Sequence, residues 1–326
     1  MSALRAAAPR ASVYTLADAG ARTTYAEILT VSPQRSPFSD LPFADAACRA
    51  FGLTGYVALV GDGDAGLVLF EKRRGGLRAA ALPPYAQFVT PVLRAAQDLA
   101  AVHERRSPLD ALARVLADRT HQATLLPHPS LADLRPLAWA GWSLAPTAHM
   151  SAPVRGADGQ GAWSRSARKT VRQSQDRYDI LEGAEWARPV VALAAQSMAA
   201  KGLGHPAVDA VAQVVATLVS AGQARVAVAV PVGGGAPEAG LVLPVDGPTA
   251  YYLVVGSVPG PAMTVLMAHV AASLVAGGQT SLYLGGANIP SVAEFKRSLG
   301  GELLTAFRAR HVRGRLLRLR DALASV

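Results

Sequence analysis

Residues 249–302 of the chain read TAYYLVVGSVPGPAMTVLMAHVAASLVAGGQTSLYLGGANIPSVAEFKRSLGGE, and this stretch decides the fold. Its pattern predicts an apolar strand at 251–255, an apolar helix at 261–276, a second strand at 281–284 and a short amphipathic helix at 291–299. Glycine turns separate the four elements. Strand, helix, strand and helix in this order are typical of a βαβα unit on a sheet.

Two polar residues of this stretch stand where a ligand would be expected. The second strand ends in a glycine-rich turn that carries Asn288, and open α/β sheets usually bind ligands beyond the carboxyl ends of their strands. Lys296 follows on the short helix. The chain has only four lysines, Lys72, Lys169, Lys201 and Lys296. Because lysine is rare in this chain, a lysine at this place is a candidate for a specific role.

Length and composition indicate two domains and a basic surface. A chain of 326 residues that is 51% apolar can bury two sizeable cores. The formal net charge of +9 is carried mostly by arginine. Two explanations remain open: a GC-rich coding bias, or an anionic partner such as RNA, a nucleotide cofactor or a polyanionic sugar carrier.

Cysteine and histidine usage argues against disulfide and metal chemistry. Cys48 is the only cysteine, and in an apolar helical segment it is expected to be a small buried side chain. The seven histidines show no close pairing, so no metal site is predicted. The longest apolar helices, at 208–221 and 261–276, are shorter than a membrane span. We therefore expect a soluble cytoplasmic protein with no integral membrane segment.

The two halves of the chain predict the same order of elements. Each reads approximately β-α-α-β-β-β-α-β-α-β, although residue identity between the halves is weak. The expected division is an N-terminal lobe at 1–155 and a C-terminal lobe at 156–326, the latter with a basic helix at 313–324. The Gly233–Gly235 run lies between two predicted strands, so a hairpin loop is expected there and not a phosphate cradle.

Three motifs carry a resemblance to a known family. They are DLRPLAWAGW at 133–142, WSRSARKTVRQS at 163–174, and GGAN at 285–288 with AEFKRSLGGE at 293–302. In this order they resemble the FemAB-like proteins, which are tandem GNAT (N-acyltransferase superfamily) proteins. The resemblance implies an α/β fold with two tandem GNAT-like lobes on a mixed sheet, and the predicted element order agrees with it.

The same resemblance implies transfer of an acyl or aminoacyl group to an amine acceptor. Fem ligases take an aminoacyl group from charged tRNA and add it to a peptidoglycan precursor, whereas related proteins use acyl-CoA, often in polysaccharide or cell-envelope pathways. Either aminoacyl-tRNA or acyl-CoA is thus the expected donor. The amine attacks directly in this mechanism, and the chain shows no Ser-His-Asp order that would indicate an acyl-enzyme.

The resemblance makes Lys296 the main catalytic candidate in the C-terminal lobe. The Phe295–Lys296 pair would face the donor, where an ammonium can stabilise charge on a carbonyl oxygen or a phosphate. Asn288 could donate to the same carbonyl, with a turn or helix-capping role as the alternative. Glu294 could act as a base, but an exposed helix residue is the favoured interpretation.

The helix at 164–177 and Tyr252 are candidates for substrate binding. Arg165, Arg168, Lys169 and Arg172 stand at i, i+3, i+4 and i+7, so they form one basic stripe on a helix. The stripe could bind tRNA or carrier phosphates, or it could be a solvated face. Tyr252 could present its hydroxyl to the acceptor, with core packing as the alternative.

The expected cofactor loop, which begins at Gly256 and Ser257, departs from the family pattern. Many acetyl-CoA enzymes of this fold bind pyrophosphate here through backbone N–H groups. Pro259 and Pro261 remove two such donors. Two alternatives therefore stay open: an acetyl-CoA-dependent N-acetyltransferase acting on a small amine or amino sugar, and a degenerate GNAT pair that binds RNA or another polyanion through 165–172 and 313–320.

Overall fold

The computed structural model describes residues 9–314 and Leu317, and most of the predicted basic helix at 313–324 lies outside them. The chain forms two compact units. Unit 1 extends to Pro146 and resumes at Ala306, and unit 2 is Thr147–Thr305. The expected boundary at 155/156 thus falls inside unit 2, and the last strand of the chain contributes to unit 1. The reason is that a strand belongs to the sheet with which it pairs, whatever its place along the chain.

Unit 1 is an α/β unit built on a mixed sheet. Its elements in chain order are β1 (Ala11–Thr15), α1 (Ala19–Val31), α2 (Leu41–Phe51), β2 (Thr54–Val60), β3 (Ala65–Arg74), β4 (Leu77–Ala80), β5 (Val92–Leu93), α3 (Leu99–His103), α4 (Pro108–Arg119), β6 (Gln122–Leu125), α5 (Arg135–Trp139) and the start of β7 (Ser143–Pro153). The sheet order is β1-β2-β3-β4-β6, with β4 and β6 parallel and the other neighbours antiparallel.

One helix expected in unit 1 is shorter than the sequence predicts. The apolar pattern at 91–103 predicts a single helix, but its first part forms β5, which pairs with the start of β3. Leu93 N donates to Ser32 Oγ and to Gln34 Oε1, each at 3.1 Å. These tertiary hydrogen bonds satisfy the backbone in an extended form and override the local helical pattern.

Unit 2 repeats the architecture of unit 1. It holds the greater part of β7, then α6 (Arg165–Ser174), β8 (Tyr178–Glu182), α7 (Ala187–Ala199), α8 (Val208–Ser220), β9 (Ala224–Pro231), β10 (Ala239–Asp246), β11 (Thr249–Tyr251), β12 (Val254–Ser257), α9 (Ala262–Ala276), β13 (Ser281–Gly286), α10 (Pro290–Ser298) and the start of β14 (Glu302–Val312). Its sheet runs β8-β9-β10-β11-β13-β7, again with one parallel pair, β11 with β13.

The final strand of each sheet comes from the other half of the chain. Strand β14 pairs antiparallel with β6, with Ala309 opposite Leu125, and so completes the sheet of unit 1. Strand β7 pairs antiparallel with β13, with Ala152 opposite Leu282, and completes the sheet of unit 2. The two halves therefore share one element order, as predicted, but exchange their last strands.

The sheet of unit 2 is covered by helices on both faces. Leu241 and Leu243 of β10 belong to a buried cluster with α6 and α9, while Gly240, which immediately precedes Leu241, approaches Val190 of α7. Successive residues of a strand point to opposite faces, so α9 and α7 cover different faces of the sheet. Among the described helices none is both long enough and apolar enough to span a bilayer.

Candidate functional site

The strand that the sequence predicts at 251–255 is interrupted. It forms β11 up to Tyr251 and β12 from Val254, with Tyr252 and Leu253 between them. Leu253 N donates to Val242 O at 3.1 Å, and Val254 is also opposite Val242 in the register. Two residues therefore oppose one, which is a β-bulge. The prediction of a continuous strand is wrong here because nothing in an unbroken apolar run marks the extra residue.

The bulge opens a gap between two neighbouring strands. The last bond between them is Tyr252 N to Tyr283 O at 2.9 Å. Beyond it β12 pairs with β10, and β13 pairs with β7. Because hydrogen-bonded pairs alternate along an antiparallel ladder, the amides of Val255 and Ser257 face the gap. No ladder bond occupies that side of β12 in the described part of the chain, so an extended ligand can pair with it.

Gly256 lets a helix approach the strand closely. A Cβ atom at this position would lie 2.3 Å from both the backbone carbon of Leu193 and the nitrogen of Ala194, on α7. Only glycine fits such an approach. The absence of a side chain at Gly256 therefore allows the close contact with α7. The role of Gly256 and Ser257 in binding a cofactor remains a prediction, and it would depend on the backbone of this segment.

The loop after β12 retains some amide donors despite its prolines. Pro261 is the residue preceding α9, and no side-chain cap covers the start of this helix. Val265 N donates to Pro261 O at 3.1 Å, so the first-turn amides of Ala262, Met263 and Thr264 precede the helical ladder. A helix start of this kind favours an anion. The two prolines therefore weaken a phosphate site here without removing it.

Lys296 is a buried cation at the end of β13. The residue is only 4% exposed. Its Nζ donates to Gly286 O at 2.6 Å and lies 5.7 Å from the ring centroid of Tyr252. Burial lowers the pKa of Lys296 to about 8. No carboxylate pairs with it among the described residues, so its charge is held by one carbonyl and one aromatic face.

Asn288 also lies beside Gly286. Its Nδ2 atom is 3.7 Å from the position that a Cβ atom at Gly286 would take. The side chain is exposed, and the residue that precedes α10 as its N-cap is Ile289, without a side-chain cap. Asn288 is therefore not the N-cap of this helix. Its catalytic role stays a prediction, and the structure brings it and Lys296 to the same strand end.

Phe295 and Glu294, the neighbours of Lys296, point elsewhere. Phe295 packs, partly buried, against the core cluster of unit 2. Glu294 is exposed and accepts hydrogen bonds from Arg297 at 2.6 and 2.8 Å, and these bonds lower the pKa of its carboxyl. A lowered pKa makes a carboxylate a poorer base, so Glu294 is not suited to deprotonate an amine. A direct contact of Phe295 with a donor remains a prediction.

A histidine that no local sequence pattern indicated also lies at this place. His149 of β7 is opposite Gly286 in the register, and its Nδ1 contacts the hydroxyl of Tyr283. The rings of Tyr283 and Tyr251 are 5.8 Å apart behind it. Burial, and then the charge of Lys296, lower the pKa of His149. A local pattern could not reveal this, because β7 follows the first half of the chain and pairs with the second.

The basic stripe lies on α6 as predicted and begins next to α10. Ser164 Oγ accepts from Ala167 N at 3.1 Å and caps the helix, and Ser164 N donates to Ser298 O at 2.9 Å. Ala167 and Val171 are buried, while the four cations of the stripe, Arg165, Arg168, Lys169 and Arg172, are exposed. No ion pair engages these four within the described part of the chain. Like charges at this spacing repel.

The described residues offer no group of three or more histidines, cysteines or carboxylates that could hold a metal ion. The arrangement instead consists of a gap for an extended ligand, a buried ammonium, an amide and an imidazole at one strand end, and a row of cations nearby. Such an arrangement can position a donor, stabilise a developing oxyanion and accept a proton.

Comparisons with known proteins identify the fold. No protein-family model matches the chain, and no curated protein matches it. Among solved structures, FemX is similar with a TM-score of 0.64 at 13% identity, over 88% of this chain and 95% of FemX. A tandem GNAT protein from the clavulanic acid biosynthesis pathway gives a TM-score of 0.56 at 14% identity, over 94% of this chain and 99% of that one.

A third similar structure is the C-terminal DUF2156 domain of a putative lysylphosphatidylglycerol synthetase from Agrobacterium fabrum. Its TM-score is 0.55 at 16% identity, over 94% of this chain and 96% of that domain. Identities this low show the fold alone. The chain has the FemAB-like tandem GNAT fold on a mixed α/β sheet, as the sequence motifs predicted.

Proposed function

We propose that the chain transfers an acyl or aminoacyl group to an amine acceptor, by direct attack of the amine in unit 2. The observation that carries this proposal is the buried ammonium of Lys296, which lies without a carboxylate partner among the described residues at the end of β13. Holding a desolvated cation is costly unless charge develops beside it. In acyl transfer that charge is the oxyanion of the tetrahedral intermediate.

The geometry suggests a role for each element of the site. The extended arm of the donor would pair with the free edge of β12 at Val255 and Ser257, which brings the acyl carbon towards Gly286. Lys296 would then stabilise the carbonyl oxygen as it becomes negative, and Asn288 would donate to it. Tyr252 holds the ammonium from its ring face and is the candidate contact to the acceptor.

The basic stripe on α6 favours a large anionic donor. Four exposed cations without ion-pair partners among the described residues repel each other, and a phosphate backbone relieves that repulsion. We therefore favour aminoacyl-tRNA as donor and tRNA as a partner. Since such donors are cytoplasmic, we place the protein in the cytoplasm. The acceptor would be an amine on a cell-envelope or polysaccharide precursor.

A second candidate is an acetyl-CoA-dependent N-acetyltransferase acting on a small amine or amino sugar. The uncapped start of α9 supports it, because its first-turn amides could bind a pyrophosphate. The degenerate polyanion-binding pair is less well supported. The stripe would serve such a module, but the buried charge of Lys296 would then cost about 3 kcal/mol of stability with no function in return.

The experiment that tests the proposal supplies the purified full chain with two labelled donors in parallel, aminoacyl-tRNA and acetyl-CoA. The acceptors are glucosamine, lysine and hydroxylamine. We expect transfer from aminoacyl-tRNA that is lost in Lys296→Met and retained in Lys201→Met, whose lysine is exposed. Transfer from acetyl-CoA alone would establish the second candidate. Salt-sensitive tRNA binding without transfer from either donor would contradict an enzyme and support the binding module.

A further inference from the structure

We propose that His149 is the base that removes the proton from the acceptor amine, with Tyr283 as the residue that positions it. This inference rests on the proposed acyl transfer and adds a residue to it. An amine must lose a proton as it forms an amide, and neither Lys296 nor Glu294 can accept that proton. Lys296 is needed as a cation, and Glu294 is exposed and paired with Arg297.

The register of the sheet brings His149 to the reacting strand end. His149 is opposite Gly286, the residue whose carbonyl binds Lys296 Nζ. The pairing shifts between Tyr283 and Gly285, where Gly285 takes a φ of 72° that other residues rarely adopt. Gly285 and Gly286 carry no side chains, so no side chain from this end of β13 stands between the imidazole of His149 and the ammonium of Lys296.

The two groups approach this edge from different faces of the sheet. Leu282 and Leu284 of β13 belong to the core cluster under α9, and Tyr283 between them is not part of it. His149 contacts Tyr283 and so lies on the face away from α9, whereas Tyr252 below Lys296 packs against the cluster. An acyl group bound at the end of β13 could therefore contact Lys296 on one face of the sheet, while the acceptor amine and His149 approach it from the other face.

Tyr283 orients the imidazole for this task. Its hydroxyl engages Nδ1, and in the tautomer in which Nδ1–H donates to the phenol oxygen, Nε2 carries the lone pair. No described residue bonds to Nε2. Among the described residues, the titratable group in contact with the ring is Tyr283 of β13 and the charge that acts on it is that of Lys296 on α10, and no carboxylate is found with them. Burial and the lysine charge keep the ring neutral, as a base requires.

The acyl transfer with His149 as the base conserves every proton of the reactants. The nitrogen of the amine forms a bond to the acyl carbon, and the C–O bond to the tRNA ribose, or the C–S bond to CoA, breaks. The proton of the amine passes to Nε2 of His149. From there it passes to the departing ribose oxygen or thiolate sulfur, which leaves His149 neutral again. The Tyr283 hydroxyl holds the ring in place throughout.

The kinetic test uses His149→Gln and Tyr283→Phe with whichever donor supports transfer by the wild type. We expect His149→Gln to lower kcat by about 10²-fold to 10³-fold with little change in KM for the donor. Tyr283→Phe should lose less than His149→Gln. The matched control is His269→Gln, because His269 is exposed and bonded to Glu182.

A second readout needs no turnover. Diethyl pyrocarbonate acylates neutral imidazole, and mass spectrometry of the full chain locates the label. We expect the labelling rate of His149 to rise less between pH 6 and 8 than that of free N-acetylhistidine, because burial and the charge of Lys296 lower the pKa of His149. In Lys296→Met the rate at pH 6 should fall, because the nearby charge that disfavours protonation of His149 has been removed.

The two proposals fail in different ways. If the wild type transfers acyl groups but His149→Gln matches it in kcat and in pH profile, the role of His149 is refuted while the proposed function stands. If His149 is not labelled, or labels with the pH dependence of N-acetylhistidine, the role is refuted without any kinetic data. If the wild type transfers from neither donor, the proposed function fails and the role of His149 fails with it.

Discussion

The replacement of Lys296 by Met separates the stability of the protein from its activity. The methionine keeps the length and apolar character of the side chain and removes its charge. Burial lowers the pKa of Lys296 from 10.5 to about 8, which corresponds to about 3 kcal/mol of unfavourable charge burial. Part of this is offset when the hydrogen bond to Gly286 O is lost. We therefore expect Lys296→Met to be more stable than the wild type by about 1–3 kcal/mol at pH 7.

The pH dependence gives the sign of the effect. Below pH 8 the lysine is charged in both the folded and the unfolded chain. Between pH 8 and 10.5 the unfolded chain binds more protons than the folded one, so the wild type gains stability as the pH rises. The variant has no such group. The difference between the two free energies of unfolding should thus shrink by about 2–3 kcal/mol from pH 7 to 10.

The assay is urea unfolding of both proteins at several values between pH 7 and 10, with Lys201→Met as the matched control. Lys201 is exposed and bonded to Ser197 at 3.1 Å, so its variant should follow the wild type at every pH. Despite the greater stability, Lys296→Met should lose about 10²-fold to 10³-fold in kcat. A difference in unfolding free energy that stays constant with pH, or a variant less stable than the wild type throughout, would show that the buried charge of Lys296 does not destabilise the folded chain.

Three further predictions test the structure around this residue. Arg168→Ala with Arg172→Ala should weaken tRNA binding and reduce its logarithmic salt slope by about one unit per lost phosphate contact. The control is Arg188→Ala, which should leave tRNA binding unchanged because Arg188 is paired with Asp209 at 3.0 Å. An unchanged slope in the double variant would show that α6 is only a solvated face. Gly256→Ala should lower the stability of unit 2 by several kcal/mol, since the new Cβ would lie 2.3 Å from the backbone of α7. The control is Gly204→Ala, whose Cβ would have no neighbouring atom within 4 Å and which should have the melting temperature of the wild type. Burial raises the pKa of the Cys48 thiol to about 11, so a thiol reagent at pH 8 should react at least about tenfold more slowly with the folded chain than with the chain in urea; equal rates would contradict the burial.

The elements that carry their own periodicity could be predicted from the sequence. The apolar run at 261–276 is the observed helix α9, Ala262–Ala276, and the alternation of cations and apolar residues at 164–177 gave α6 and its exposed stripe. The hairpin of β2 and β3, in which Val60 is opposite Ala65, is joined by the GDGD sequence at 61–64, and such a glycine–aspartate turn is a local hairpin signal. In each case the signal lies within a few residues of what it determines.

The features that shape the candidate site depend on distant parts of the chain. The break at Tyr252 and Leu253 has no local mark, because its hydrogen bonds go to Tyr283 and Val242 on other strands. The exchange of β7 and β14 depends on which strands they pair with. The sequence of a single strand does not indicate its pairing partner. His149 is therefore at the site only because of that exchange, whereas Lys296 and Asn288 lie in the stretch whose pattern already indicated a strand end.

Direct transfer at Lys296 can be measured by following a labelled acyl group through a single turnover. The full chain is mixed with substoichiometric aminoacyl-tRNA, or acetyl-CoA in the parallel arm, and an excess of amine, then quenched over time. If the amine attacks the donor directly, the label moves from donor to amine without appearing on the protein, and the rate falls by about 10²-fold or more in Lys296→Met. Label bound covalently to the protein, or an unchanged rate in that variant, would contradict direct transfer at Lys296.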